Sequence, residues 1–453
     1  MPFYPKFTTL VAWLVACSAG SATDRYVSTT GTNSNPGTFE LPWRTIQKAA
    51  DSVVAGDVVH IRAGVYTERV TITNKDGTAQ SPIIFQKYAA DNGSVVIDQT
   101  GVTPPFDTVP PIDIIVSALL WIENSDYIRF QNLEFANYKT AGTNNQQKSQ
   151  LPVGIYITGD GNGLSLSGCR VHDIWQSCTV NNDQTANAFG IAVYGTAATA
   201  IHNLTIDGCE IYNLRTGASE SVALNGNVTN FSVVNNQVHD CNNIGIDFIG
   251  FEGTNATQAL DQARNGVCRG NTVYRIDSKF NPAYGGNFTT GGGNGTRSAP
   301  GLYVDGGRDI VLERNHIYDC NFAVSVGSEH FGKLSSNVAV RNNILHHCHV
   351  GGVVLGGADD QTNGGADNCS ITNNTLYDND TTGYGGGQVM IQNYVTNTTI
   401  KRNLIAATTS FVQFILKETT TGGFATDAID WNRYRHNSGS SYEFIWNGTP
   451  YDS

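Results

Sequence analysis

A column of asparagines constrains this chain more than any other feature. Asn236, Asn271, Asn315, Asn343, Asn374 and Asn403 each stand two residues before an apolar residue, as Asn236 does before Val238 and Asn315 before Ile317. Cys169 and Cys209 hold the same place upstream, before Val171 and Ile211. Each coil also carries a short alternating strand opened by a small or polar residue, as in Gly190-Ile-Ala-Val193, Gly245-Ile-Asp-Phe248, Gly301-Leu-Tyr-Val304 and Gln388-Val-Met-Ile391. Successive members of the column lie roughly 27 to 44 residues apart, the spacing of a solenoid whose coils bury their apolar edges only against one another.

An asparagine inside a strand costs several kcal/mol unless its amide is paired. A stack removes the cost, each amide bonding the next coil and the turn backbone. The column therefore resembles the asparagine ladder of right-handed parallel β-helices, which implies an all-β solenoid of roughly ten or more coils. Residues 126–408 are expected to form the ladder coils, 24–125 an N-terminal cap and first coils, and 409–453 irregular strands over the last coil. The composition agrees, with 49 glycines and 15% charged residues in 453. Only Thr45 to Val53 reads as helix, with Ile46, Ala49, Ala50 and Val53 at helical spacing. Such a helix would cap the open end of the solenoid.

Residues 1–23 read as a secretory signal peptide, with Lys6, an apolar run from Leu10 to Ala16, and small residues from Ser18 to Ala22. No other segment approaches the length of a membrane span. Together with twelve Asn-x-Ser/Thr sequons, this predicts a secreted, glycosylated protein. In that compartment Cys169 with Cys209 and Cys320 with Cys348 stand close enough on adjacent coils for disulfides, while buried thiols filling the stack are the equal alternative. The net charge of −12 and the lack of a basic stripe argue against nucleic acid as a partner. No spacing of Cys and His suggests a zinc site, and a monomer is expected.

The stretch from Tyr26-Val-Ser through Asn35-Pro-Gly-Thr and Pro42-Trp-Arg-Thr-Ile-Gln-Lys-Ala-Ala50 to Gly56-Asp57-Val-Val-His-Ile-Arg62 resembles the opening of secreted pectate-lyase-like β-helix proteins. The resemblance implies a carbohydrate-active enzyme and leaves the reaction open, since lyases, hydrolases and epimerases share the fold. Asp57 and Arg62 read as structural.

Function must come from the outer face. Offsets one and three of each first strand are apolar and fill the core, so offsets two, four and six point outward. Tyr156, Tyr194, Asp247, Tyr303, Asp305 and Glu329 occupy them. Asp247, Asp305 and Glu329 fall on successive coils, each one coil up and two residues along, which puts neighbouring Cα atoms about 8 Å apart. Glycosidic cleavage commonly uses two carboxyl groups, one protonating the leaving oxygen and one attacking the sugar or activating water. The phrase Gly301-Leu-Tyr-Val-Asp305, followed by Gly327-Ser-Glu329-His330, resembles β-helical glycoside hydrolases related to β-xylosidases. That resemblance gives Asp305 the strand-end aspartate's role and Glu329 that of the acid on the next coil. Glu252, Arg308 and His330 are candidate substrate contacts, and the loops Phe251 to Gly266 and Asp277 to Pro300 flank the same strands as cleft walls.

Three functions compete: a glycoside hydrolase acting on a polysaccharide without a cofactor, a uronate-specific lyase, and a non-catalytic carbohydrate-binding protein resting on the tyrosine face. A lyase would need a base and a cation. Lys279, Lys333 and Arg308 are the nearby cations, and Ca²⁺ held by Asp247 and Asp305 is the alternative.

Overall fold

The computed structural model describes residues 23–451 apart from 110–112, 294, 408–412, 418–423, 425–427 and 437–443. The expected signal peptide lies outside the described residues, but for Thr23. Nearly all strands are parallel and fall into three long sheets of 19, 13 and 12 strands, each coil contributing to all three. This is the expected right-handed parallel β-helix, with a core running unbroken from Val27 to Phe424.

The alternation of the first strands sets the 13-stranded sheet. Ile155, Ile191, Val222, Ile246, Leu302, Val324 and Val353 pair in sequence across it, as do Ile157, Val193, Leu224, Phe248, Val304, Val326 and Leu355. All are buried, and at about 25 cal/mol per Å² of apolar area their burial stabilises the stack.

The ladder is continuous. Asn271 donates from its backbone N–H (2.9 Å) and its Nδ2 (3.0 Å) to Asn315 Oδ1, and its Nδ2 also reaches Val233 O. The same exchange links Asn236 to Asn271, Asn315 to Asn343, Asn343 to Asn374, and Asn374 to Asn403. The residue before each rung, from Asn235 to Trp431, is left-handed with φ of 55 to 69°, the conformation that turns the chain and lets the side chain point inward.

The expectation that the chain leaves the ladder after residue 408 is corrected. Asn403 bonds Asn432 Oδ1 in the same way, and Leu404–Ala407 pairs in parallel with Arg433–His436. Asn432 is followed two residues on by Tyr434, which packs against the core. A tyrosine in place of an aliphatic residue hid this rung in the sequence.

The eight described cysteines are free and buried, so the thiol alternative holds. Cys209 continues the ladder, its N–H bonding Asn236 Oδ1 at 2.8 Å. The expected helix is present at Ile46–Ser52, with Thr45 Oγ1 accepting from Lys48 N. Asp57 accepts from Thr23 N and Val54 N, and Arg62 pairs with Asp91 at 2.8 Å; both brace the first coils. Among the described residues no helix is long and apolar enough to cross a membrane.

Candidate active site

The outer face of the 13-stranded sheet carries the acidic cluster in the register that the spacing predicts. Asp247 pairs with Tyr303, Tyr303 with Ser325, and Asp305 with Gly327. Glu329 follows Gly327 by two residues, just past the strand Phe322–Gly327. Its backbone N–H donates to Asp305 Oδ1 at 2.7 Å.

These side chains point away from the core but not all into solvent, which corrects the expectation. Asp247 is 2% and Asp305 3% exposed, because loops on both sides of the strands rise above them. They form the floor of a cavity of about 510 Å³, within the usual range for small-molecule sites. Glu329 and Glu252 stand exposed at its mouth.

Of the residues singled out in the sequence, Asp247, Asp305, Glu329, Glu252, Tyr194 and Tyr303 line the cavity. The others do not. Tyr156 packs outside it between Trp121 and Tyr194, with ring centroids 4.7 and 5.8 Å away. Arg308 bonds Asp309 at 2.6 Å, and His330 bonds Glu252 Oε1 at 2.8 Å across the rim. The cations weighed for a lyase turn elsewhere too. Lys333 lies over Phe251 and Lys279 over Phe280.

Among the lining residues that sequence reasoning missed are Glu220, Tyr284, Asn225 and Asn243. Glu220 had a signal. The residues before the openers Gly190, Ser221, Gly245, Gly301 and Ala323 are Phe189, Glu220, Ile244, Pro300 and Phe322, so a glutamate interrupts an apolar run. Tyr284 had none, since the loop 277–300 must fold back to place it. Asn281 Nδ2 anchors that loop on Gly217 O and Asn242 O. Tyr284 Oη then accepts from Asn243 Nδ2 at 3.2 Å.

Five carboxyl groups converge on the cavity, and none of its lining residues is Lys, Arg or His. Burial first, then the Asp305, Glu220 and Glu329 charges, drive the Asp247 carboxyl well above its usual range. Asp305 is raised likewise by burial and by Glu329, with the Glu329 N–H opposing. Burial and the neighbouring Glu329 push Glu220 up to about 8. Glu329 is raised by the surrounding protein and then by Glu252, with His330 opposing. Like charges in a poorly hydrated space cannot all ionise, so the cluster retains protons near neutral pH.

A lyase of this fold class would call on Ca²⁺, and the residues do not fit it. Although five carboxyl groups line the cavity, among the described residues no three His, Cys, Asp or Glu side chains stand close enough together to hold one metal ion.

Comparison with known proteins gives four likenesses. The family described as "Pel9A-like, right handed beta helix region" matches residues 25–213. The uncharacterised protein YwoF of Bacillus subtilis (strain 168) is 33% identical over 434 residues, which is 96% of this chain and 85% of YwoF. Pectate lyase PEL9 of Emericella nidulans is 32% identical over 145 residues, covering 30% of this chain and 35% of that enzyme. Among solved structures, the GH136 lacto-N-biosidase from Eubacterium ramulus superposes with a TM-score of 0.65 at 16% identity, covering 91% of this chain and 68% of that one. This last likeness shows the fold alone.

Proposed function

The chain belongs to the family of Bacillus subtilis YwoF, and from that premise we propose that it is a secreted carbohydrate-active enzyme that hydrolyses glycosidic bonds in the cavity above Asp247 and Asp305. One observation carries the reading: the cavity is lined by five carboxyl groups and by no basic side chain. Paired carboxyl groups, one protonated and one ionised, are what glycoside hydrolysis needs. Abstraction of a proton beside a uronate carboxylate needs a cation to neutralise that carboxylate, and a cavity lined by acids with no basic side chain repels the uronate.

Asp305 sits at the floor, where the Glu329 amide that bonds it favours its ionised form against the burial and neighbouring charge that raise it, and in that form it attacks the sugar or activates water. Glu329, at the mouth and raised by its surroundings and by Glu252, protonates the leaving oxygen. Asp247 lies one coil below Tyr303 and faces the same sugar. Tyr194 and Tyr303 offer ring surface to it.

The relationship to a pectate lyase favours β-elimination as the second reading. The Pel9A-like match ends at residue 213, whereas the carboxyl groups lie between Glu220 and Glu329. The family likeness therefore supports the scaffold more than the reaction. Incubation with neutral, amino-sugar and uronate polysaccharides decides between the two. Hydrolysis releases reducing ends with no ultraviolet-absorbing unsaturated uronate and persists in EDTA, while unsaturated products that vanish in EDTA would establish the lyase.

A further inference from the structure

The cavity offers a ligand acceptors and acids. Among the residues that line it, three buried side-chain oxygens have no hydrogen-bond partner among the described residues: Asp247 Oδ1, Asn225 Oδ1 and Asn243 Oδ1. Their side chains are 2%, 3% and 0% exposed, and all three residues line the cavity. The orientation of Asn243 is fixed, because its Nδ2 already donates to Ser219 O at 3.0 Å and to Tyr284 Oη at 3.2 Å. A buried acceptor left unpaired is costly and rare, so three around one cavity mark where donor atoms of a ligand belong.

The chemistry of the remaining wall narrows the donor. Glu220, Glu252, Asp305 and Glu329 surround these acceptors, and the lining holds no ammonium, guanidinium or imidazole. A sugar hydroxyl donates one proton and needs donors for its own lone pairs. A primary ammonium group has three donors, no acceptor and a positive charge, so it satisfies orphaned acceptors and offsets the crowded carboxyl groups together. A divalent cation would also supply charge, but among the described residues no three acidic or imidazole side chains stand close enough together to ligate one.

From this geometry we infer that the sugar bound in the cavity carries a free, protonated amine, so that the substrate is a glycan containing un-acetylated amino sugars. The inference rests on the reading of this cavity as the glycan-cleaving site. An N-acetyl group in the same place is neutral and bulkier, has one N–H, and brings a carbonyl that needs a donor.

Calorimetric titration of the intact protein with glucosamine and galactosamine, beside their N-acetyl derivatives and the parent hexoses, tests it. Either amine is expected to bind at least about tenfold more tightly than its counterparts, with the advantage shrinking as salt rises. Binding should also release protons, because a bound cation draws the carboxyl groups Glu220, Asp247, Asp305 and Glu329 toward ionisation. The observed heat then depends on the ionisation enthalpy of the buffer. Asn225→Ala and Asn243→Leu should each remove much of the preference, and two substitutions guard against one failing to fold.

Equal or tighter binding of the neutral or N-acetylated sugars overturns the inference, as does undetectable binding of both amines or stoichiometric uptake of Ca²⁺ into the cavity. The two readings fail separately. Cleavage of neutral glycans without amine preference leaves the hydrolase and removes the amine. Amine preference with no glycan cleaved leaves the ligand and removes the hydrolase.

Discussion

The backbone N–H of Glu329 donates to Asp305 Oδ1 at 2.7 Å. Two candidate catalytic carboxyl groups on successive coils are thereby joined through the main chain. The strand that ends at Gly327 places the amide of one residue on the side chain of the other.

Asp305→Asn and Glu329→Gln are each expected to lower turnover by about 10²- to 10⁴-fold. Asparagine keeps an oxygen for the Glu329 amide, and both replacements remove a carboxyl group that its surroundings resist ionising. The melting temperature should stay level or rise. Full activity in the double variant would refute the assignment of the site.

Glu220→Gln should stabilise the protein at alkaline pH. The Glu220 carboxyl is pushed up to about 8, above its unfolded value, so the folded state holds the proton longer than the unfolded one. Stability from this group is full below the unfolded value and is lost as pH rises toward 8. The variant's gain in melting temperature should be small near pH 4 and largest near pH 9, at about 1 °C per kcal/mol in a chain of this length. A difference independent of pH would argue against the raised carboxyl.

Asn315→Leu should destabilise by about 3 kcal/mol. Asn315 Oδ1 accepts from the Asn271 N–H and Nδ2, and its own Nδ2 serves Cys268 O and Asn343 Oδ1. Asn432→Leu, at a rung only partly buried, should cost less because water can replace part of what is lost. Chemical denaturation of both variants measures the order, and equal costs would contradict a ladder graded by burial.

Thiol titration should find the eight residues from Cys169 to Cys369 silent in the native protein and fully reactive in denaturant without a reductant. All are buried and free, and burial drives Cys241 up to about 12 and Cys369 to about 11. Loss of four thiols to Cys169–Cys209 and Cys320–Cys348 bridges would be visible in the same titration.

The sequence by itself determined the coil. A period-two apolar strand and an asparagine at a constant offset are local patterns repeated along the chain, and a parallel stack is the arrangement that buries one and pairs the other. The register Asp247, Tyr303, Asp305, Gly327 followed from the same repeat, which is why three carboxyl groups on one face were legible. The tertiary structure decided what that face became. The loop 277–300 returns through Asn281 to Gly217 and Asn242, bringing Tyr284 over the acids and turning exposed positions into a cavity floor. Arg308, His330 and Tyr156 left the cluster for Asp309, Glu252 and Trp121. Those outcomes depend on contacts between side chains and loops distant in sequence, for which the repeat carries no signal.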